Sequence, residues 1–391
     1  MKETVIVGMA RTAIGTMNGA IKDAEASDLG AAAIREAVKR SGIANEQVQE
    51  VVMGCVGQIA ENAFVARMCA IKAGLPTTST AYTVNRLCGS GLQAINNAVQ
   101  QIQTKNAEII VAGGTENMDL YPFYIRKGRY GYRYGHAELE DGLMTALTDP
   151  FGQYAMGVTA EKVASKFNIT REEQDLFAYQ SQVKAMNAIE SGYFYEQIVS
   201  FELKDRKGSL KVFDTDEHPR QTSIEKLSTL KPAFEKGGTV TAGNSSGINN
   251  GAAALVLMSR EKAEELGLKP IAYVREQAVA GVEPEIMGFA PSPAVKALLK
   301  KANLTLDDID LIELNEAFAA QSLAVIKDLE VNPDKVNVNG GAISLGHPIG
   351  ASGAIITIKL LSELKRRGLK RGISTMCIGG GQGIATIFEM A

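Results

Sequence analysis

The segment Val84-Asn85-Arg86-Leu87-Cys88-Gly89-Ser90-Gly91-Leu92-Gln93-Ala94 decides the fold, because an apolar run breaks at a cysteine and resumes as an alanine-rich helix. Glycines at 89 and 91 permit a tight turn, which places Cys88 at a corner between a strand and a helix. The first N–H groups of that helix point at the thiol, and a positive helix end favours a thiolate. The corner therefore predicts a nucleophilic cysteine with a lowered pKa. A buried cysteine that acts only as a small hydrophobe is the alternative interpretation.

The overall composition is that of a globular protein without a strongly charged partner. The 391 residues are 45% hydrophobic and 22% charged, and the net charge is -3. This length exceeds one ordinary core and predicts two or three packed units. The charge balance gives no reason to expect a nucleic acid or a membrane surface as partner. The four cysteines show neither CxxC pairs nor a disulfide framework, and with three histidines we expect no metal site.

The first residues and the absence of long apolar runs bear on location. Residues 1–7 lead directly into a short apolar β-type run, without the features of a secretory signal. No apolar run is long enough to span a bilayer. We therefore expect a cytoplasmic protein.

The first and last thirds of the chain resemble each other. Residues 41–48 align without gaps with residues 302–309, and residues 109–114 parallel residues 374–380. In both thirds strands alternate with helices, which predicts βαβ units and a mainly parallel sheet. Such self-similarity predicts two copies of one α/β unit packed together.

The repeat also relates two glycine-rich turns. Val84-Asn85 before Cys88 corresponds to Val338-Asn339 before His347, and an apolar helix follows each turn. A pseudo-two-fold axis between the copies would bring Cys88 and His347 face to face. Histidine is the side chain best suited to accept a thiol proton near neutral pH, although a lone histidine is also often only structural.

The chain is predicted to contain three parts. The N-terminal half comprises residues 1–117 and is completed by residues 250–269. The C-terminal half comprises residues 270–391. The part between them, residues 118–249, lacks the alternation of strands and helices and is interpreted as an insertion. Long insertions on a rigid scaffold often build binding sites.

Two further motifs carry groups that suit acyl chemistry. Cys377 ends an apolar strand and precedes glycines whose bare N–H groups can converge on an oxyanion, although positive φ angles in a turn would explain the same glycines. Asn315 follows a second apolar strand and offers an amide that could orient a water, or could simply cap a helix. Two thiols and one imidazole suit formation of a carbon–carbon bond: one thiolate holds an acyl group as a thioester, and the other removes an α-proton.

In combination these motifs resemble the thiolase family over essentially the whole chain. The residues that carry the resemblance are Asn85–Gly91, Asn315–Phe318, Gly346–Gly353 and Cys377–Gly381. The resemblance implies an α/β fold of five layers, α-β-α-β-α, made of two similar halves. It also implies that the central part is a loop domain that receives coenzyme A, and that the protein is a homotetramer built as a dimer of dimers.

The resemblance also implies a role for each catalytic residue. Cys88 is the acylated nucleophile, and His347 activates it. Cys377 is the acid and base that acts on the α-carbon or on the leaving thiol. Asn315 holds the water that stabilises the thioester enolate together with His347. The N–H groups of Cys88 and Gly379 form the other oxyanion hole.

The central motifs Asp141–Leu143 and Leu147–Asp149 resemble the short-chain biosynthetic branch of the family, which reversibly condenses two acetyl-CoA molecules to acetoacetyl-CoA and CoA. The resemblance then implies coenzyme A thioesters as substrates and no tightly bound cofactor. It places contacts with coenzyme A or the acyl group at Leu147, Met156, Arg220, Phe234, Ser246, Met287 and Phe318. Ala155 departs from the branch, because it stands where a histidine usually contacts the pantetheine arm. The preferred acyl-chain length and the affinity for coenzyme A therefore stay open.

Three alternatives compete with this interpretation. A β-ketoacyl synthase of the same fold class condenses by decarboxylation and needs no second thiol, so Cys377 favours a thiolase. A degradative 3-ketoacyl-CoA thiolase that acts on longer chains is compatible with Ala155. An inactive thiolase-like protein that binds coenzyme A or a lipid would not need Cys88, His347 and Cys377.

Overall fold

The computed structural model describes residues 2–58, 60–204 and 208–391. The strands in these ranges are β1 Thr4–Thr12, β2 Gly15–Thr16, β3 Glu50–Gly54, β4 Thr80–Val84, β5 Ile109–Asn117, β6 Phe123–Ile125, β7 Leu139–Asp141, β8 Ile198–Val199, β9 Phe201–Lys204, β10 Leu210–Phe213, β11 Asn249–Ser259, β12 Ala272–Gly281, β13 Leu311–Leu314, β14 Arg371–Ile378 and β15 Gln382–Met390. The α-helices are α1 Ala26–Ser41, α2 Val65–Lys72, α3 Ser90–Gln103, α4 Gly142–Ala146, α5 Met156–Lys166, α6 Arg171–Glu190, α7 Ile224–Ser228, α8 Arg260–Glu265, α9 Pro291–Ala302, α10 Ala319–Leu329, α11 Ala342–Leu345 and α12 Ser352–Arg367. Short 3-10 helices span Asn45–Gln47, Ala60–Phe64, Met118–Leu120, Gly128–Tyr130, Pro284–Phe289, Leu306–Asp308 and Pro333–Lys335.

The main sheet consists of two similar halves joined at one edge. Its strand order is β13-β14-β15-β12-β1-β11-β5-β3-β4, and β2 and β8 pair with β11 and β1. The halves meet where Thr4–Ile6 of β1 pairs with Ala272–Val274 of β12. In the first half β5 lies between β3 and β11, and in the second half β14 lies between β13 and β15. The predicted internal repeat is therefore confirmed at the level of strand order.

The sheet is mixed, so the prediction of a mainly parallel sheet was wrong. The pairs β3–β4, β3–β5 and β13–β14 are parallel, whereas β5–β11–β1 and β14–β15–β12 are antiparallel. Strands β14 and β15 are joined by a tight turn in which Gly380 and Gly381 have φ angles of 83° and 86°. A turn of this kind forms a hairpin, while parallel neighbours need a long crossover connection.

The helices complete the five layers. Helices α1 and α2 cover the outer face of the first half of the sheet, and α9 packs on β12 and β15 of the second half with α10 beside it. Helices α3 and α12 pack against each other between the two halves. The five-layered α-β-α-β-α fold expected from the sequence is therefore confirmed. No described helix has both the length and the apolar character that crossing a membrane requires.

The central part lies against the second half of the molecule. Helices α5 and α6 contact α10, and α6 also contacts α11. Short β8, which follows α6 in the chain, pairs with Arg11 and Thr12 of β1. The division into residues 1–117 with 250–269, 118–249 and 270–391 stays a prediction.

The first turns of α3 and α12 approach each other closely. A methyl group on Gly91 would lie 2.9 Å from the nitrogen of Ala354, and one on Gly353 would lie 2.2 Å from the nitrogen of Leu92. No side chain fits in either place, since real Cβ atoms do not come so near to a backbone nitrogen. The two glycines therefore set how near the two halves can come.

Gly353→Ala is expected to lower the free energy of unfolding by about 1–3 kcal/mol, because the added methyl group must displace the Leu92 backbone. The gain in helix propensity of about 1 kcal/mol from glycine to alanine does not offset this clash. Urea denaturation measures the difference. Gly281→Ala is the matched control, because its methyl group would meet only the Gly381 oxygen at 3.9 Å. Equal stability of the two variants would contradict a tight contact at Gly353.

Candidate active site

Cys88 lies at a corner between β4 and α3, as the sequence predicts. The preceding residue, Leu87, has a φ angle of 44°, in the left-handed region that a leucine rarely adopts. Ser90 holds this turn, because its hydroxyl accepts a hydrogen bond from the Arg86 N–H at 2.9 Å and donates one to the Leu87 oxygen at 2.5 Å. Backbone strain that is held by neighbouring bonds is common at functional sites.

The corner opens onto a small apolar cavity. Its volume is about 70 Å³, and its lining residues are Leu87, Cys88, Ala146, Leu147, Met156, Ser246, Met287, Ala317, Phe318, His347, Ile349 and Gly379. Cys88 and His347 thus come from the two pseudo-equivalent turns and share one cavity. Cys377 is fully buried, packs with Met287 and Phe318 of the cavity lining, and lies near enough to Cys88 for that thiol to raise the pKa of Cys377.

Each ring nitrogen of His347 has a polar partner. Its Nδ1 lies 2.6 Å from the Ser352 hydroxyl, which also donates to the Pro348 oxygen at 2.9 Å. A hydroxyl has one hydrogen, so this arrangement assigns the imidazole proton to Nδ1 and leaves Nε2 unprotonated. Nε2 lies 3.4 Å from Nδ2 of Asn315. The imidazole is therefore oriented to accept a proton at Nε2.

Two buried residues that the sequence did not single out hold the turn of His347. Asn249, at the start of β11, accepts a hydrogen bond from the His347 N–H at 2.9 Å and donates one to the Gly15 oxygen at 3.0 Å. Glu116, near the end of β5, accepts bonds from the N–H groups of Gly350, Val56 and Gly57, each at 2.9 Å. A carboxylate at the end of an otherwise apolar strand is the signal in the sequence that could have revealed Glu116.

The two other histidines differ in their exposure. The sequence favours surface positions for both, and His136 is exposed. His218 is half-buried, and its Nδ1 lies 3.3 Å from Nδ2 of Asn249. Burial, together with the nearby Arg220 charge, lowers the pKa of His218 to about 4. The prediction of a surface residue was therefore wrong for His218, because the loop that carries it folds over the turn that Asn249 holds.

Burial dominates the protonation states in the cavity. It raises the pKa of the Cys88 thiol to about 11, although the N–H groups of Gly379 and of Cys88 itself face the sulfur and lower the value in part. Burial lowers the pKa of His347 to about 4, and it raises the pKa of Cys377, with the Cys88 thiol adding to that rise. The prediction of a lowered pKa at Cys88 was wrong, because loss of hydration outweighs the helix N-terminus. The resting pair is a neutral thiol beside a neutral imidazole.

The remaining residues expected at the site fall into two groups. Leu147, Met156, Ser246, Met287 and Phe318 line the cavity. Phe234 lies beside it, with its ring edge-on to Phe318 at a centroid distance of 6.0 Å. Arg220 is exposed and does not line the cavity.

Comparisons with known proteins agree with this architecture. Two family models, "Thiolase, N-terminal domain" and "Thiolase, C-terminal domain", match residues 4–261 and 268–390. The acetyl-CoA acetyltransferase of Syntrophomonas wolfei is 53% identical over 393 aligned residues, which cover 99% of each chain. The crystal structure of the Bacillus anthracis acetyl-CoA acetyltransferase is 49% identical, covers 100% of this chain and 99% of its own, and has a TM-score of 0.98. A crystal structure of human mitochondrial 3-ketoacyl-CoA thiolase in complex with CoA is 43% identical, with a TM-score of 0.96 and coverage of 100% and 98%.

The protonation states predict how Cys88 reacts with an uncharged alkylating reagent. Because only the thiolate reacts, the rate with iodoacetamide should rise about tenfold for each pH unit up to about pH 11. Mass spectrometry of the Cys88 peptide measures this rate, and Cys377→Ala serves as a control for labelling at the second thiol. A rate that is constant between about pH 6 and pH 8 would indicate a preformed thiolate–imidazolium pair and contradict this assignment.

Proposed function

The chain belongs to the thiolase family, and we propose that it is an acetyl-CoA C-acetyltransferase that reversibly condenses two acetyl-CoA molecules to acetoacetyl-CoA and CoA through an acylated Cys88. The observation that carries the proposal is the single cavity shared by Cys88, His347 and Gly379, with Cys377 packed against Met287 and Phe318 of its lining. The names of the relatives support the same acyltransferase activity. Coenzyme A thioesters are the substrates.

In the first half-reaction Cys88 becomes acetylated. Nε2 of His347 accepts the thiol proton, and the sulfur attacks the carbonyl carbon of acetyl-CoA. The N–H groups of Cys88 and Gly379 face the sulfur and are placed to donate to the oxyanion that forms. The tetrahedral intermediate then expels the CoA thiolate, which takes the proton of the Cys377 thiol, so that His347 stays protonated and Cys377 is left as a thiolate. Burial lowers the pKa of His347 to about 4 and so favours the neutral imidazole, the form that this step needs.

In the second half-reaction Cys377 removes a proton from the methyl group of a second acetyl-CoA. The enolate oxygen is stabilised by His347, protonated at Nε2, and by a water held by Asn315, and the enolate carbon attacks acetyl-Cys88. The new carbon–carbon bond forms as the Cys88 thiolate leaves, and this thiolate takes back its proton from His347. Removal of an α-proton needs a base beside the substrate carbon, and the Cys377 thiolate left by the first half-reaction is that base, close enough to Cys88 for the two sulfurs to interact electrostatically.

The second thiol distinguishes this proposal from decarboxylating condensation. A β-ketoacyl synthase obtains its carbanion by loss of carbon dioxide and needs no base at the position of Cys377. Reversible condensation needs a group that both removes and returns a proton. A protein that only binds coenzyme A or a lipid would not need an oriented imidazole. The His347–Ser352 and His347–Asn315 contacts therefore favour the active enzyme over the inactive alternative.

The lining of the cavity supports a path for the pantetheine arm. Leu147 and Met156 lie on one wall and are tied together, because the Met156 N–H donates to the Leu147 oxygen at 2.9 Å. Ser246 and Phe318 also line the cavity, and Phe234 lies beside Phe318. We assign these residues to contacts with the thioester arm or the acyl group. Arg220 is assigned to the exposed phosphate or adenine end of coenzyme A.

Ala155, the residue that departs from the short-chain branch, lies directly before Met156 on the N-terminal side of α5. Its side chain is exposed, and its backbone pairs with Thr148. A methyl group there contributes no polar contact to the arm and occupies little space. A degradative 3-ketoacyl-CoA thiolase of broader chain length therefore stays the second candidate. The 43% identity with the human 3-ketoacyl-CoA thiolase supports this candidate.

Assembly and location stay predictions. A homotetramer built as a dimer of dimers follows only from the resemblance. The cytoplasmic location follows only from the sequence features given above.

Removal of each thiol is expected to block a different half-reaction. Cys88→Ala should abolish acyl transfer, and Cys377→Ala should still form acetyl-Cys88 but lose condensation by a factor on the order of 10²–10⁴, the usual contribution of a general base. Radiolabelled acetyl-CoA measures the acylation, and release of CoA measures the turnover. Circular dichroism of both variants controls for folding. Acylation and condensation falling together in Cys377→Ala would contradict the division of roles.

The preferred acyl-chain length of the substrate is measured by comparing thiolysis of acetoacetyl-CoA with thiolysis of longer 3-ketoacyl-CoA substrates. We expect kcat/KM to be highest for acetoacetyl-CoA, because the cavity of about 70 Å³ leaves little room beyond a short acyl group. Ala155→His should lower KM for the thioesters by restoring a polar contact at the arm. Higher kcat/KM for the long substrates would favour the degradative thiolase, and unchanged constants in Ala155→His would contradict a role for residue 155.

A further inference from the structure

A second, smaller cavity lies behind Asn315, between α11 and α12. Its volume is about 10 Å³. Its lining residues are Ile14, Asn315, Gly341, Ala342, Leu345, Gly346, Ser352, Ile355, Ile356 and Lys359. This is room for about one water molecule. The catalytic cavity and this one share none of their lining residues.

The amide of Asn315 is placed between the two cavities. Its Nδ2 faces His347 Nε2 at 3.4 Å, and Asn315 lines the rear cavity. Its Oδ1 is buried and accepts no hydrogen bond from any residue of the described ranges. The oxygen and nitrogen of an amide diverge, so both cannot face His347. A buried amide oxygen without a partner is costly, and here it lies beside a space of the size of one water.

Lys359 is the lining residue of this space whose side chain is charged. It lies two turns after Ser352 on the same face of α12, is 3% exposed, and lines the rear cavity. Its ammonium donates to Glu313 Oε2 at 2.9 Å and to the Gly340 oxygen at 2.6 Å. An ammonium has three N–H groups, so one remains beyond these two bonds.

The partners of Lys359 lie next to the catalytic groups in the chain. Glu313 is two residues before Asn315 at the end of β13, and Gly340 begins the turn that leads through α11 to His347. Burial raises the pKa of Glu313, while the Lys359 charge lowers it. The same ammonium thus ties together the two segments that carry Asn315 and His347.

We propose that Lys359 is a positioning residue for Asn315, and that it acts through one buried water that donates to Asn315 Oδ1 and accepts from the Lys359 ammonium. This bond holds Oδ1 toward the rear and turns Nδ2 toward the catalytic cavity. The water is distinct from the one that Asn315 holds against the enolate, because it lies on the other side of the amide. The proposal deepens the proposed function and rests on the role of Asn315 in the second half-reaction.

The test compares two double variants that both remove the buried ion pair. E313Q/K359M and E313Q/K359Q replace the lysine by side chains of nearly equal length, but only glutamine can donate a hydrogen bond into the cavity. Arg366→Met is the outer control, because Arg366 pairs with Glu363 on the same helix at 2.7 Å and does not line the cavity. Acetylation of Cys88 and condensation are measured separately for each protein.

We expect E313Q/K359M to acetylate Cys88 normally and to lose condensation kcat by about tenfold, the effect of losing one hydrogen bond that orients Asn315. E313Q/K359Q should recover most of that loss, and Arg366→Met should leave both steps unchanged. Equal condensation in the two double variants, or equal loss of both half-reactions, would overturn the role of Lys359. Failure of the unmodified protein to form acetyl-Cys88 would instead overturn the proposed function.

A measurement on the unmodified protein keeps the proposal testable if the double variants do not fold. A high-resolution crystal structure should show one ordered water within hydrogen-bond distance of both Asn315 Oδ1 and Lys359 Nζ. Density that shows no water there, or an amide whose oxygen faces His347, would overturn the proposal.

Discussion

The close contact between the N-terminal turns of α3 and α12 is the constraint on which the rest of the structure depends. Gly91 and Gly353 have no side chains, so the backbones of Ala354 and Leu92 come within a distance that a Cβ atom would not allow. Each helix follows one of the turns that carry Cys88 and His347. A larger residue at either glycine would push the two halves apart and separate the thiol from the imidazole.

Hydrogen bonds across the halves then fix the geometry that this contact permits. Glu116 in the first half accepts a hydrogen bond from the N–H of Gly350 in the second half, and Asn249 accepts one from the N–H of His347. Both acceptors are buried, where a hydrogen bond is costly to leave unmade. The turn of His347 is consequently held by the opposite half as well as by its own.

Burial gives the site its chemistry as well as its shape. Low hydration keeps Cys88 and Cys377 as thiols and His347 as a neutral imidazole, because each charged form would lose its water shell. The proton of Cys88 can then move to His347 when a thioester is present to take the sulfur. The same dry environment strengthens the donors that face the oxyanions, since their dipoles are not screened by water.

The sequence by itself determined the internal repeat, the five-layered family fold and the two turns that carry Cys88 and His347, because glycines and apolar runs are local signals. It missed the mixed sheet, because the tight turn after Gly379 allows a hairpin that strand alternation does not reveal. Only the tertiary structure decided that Glu116, Asn249 and Lys359 support the site, since their partners are distant in the chain. It also decided the direction of the Cys88 pKa, because desolvation depends on what every other segment packs around the sulfur.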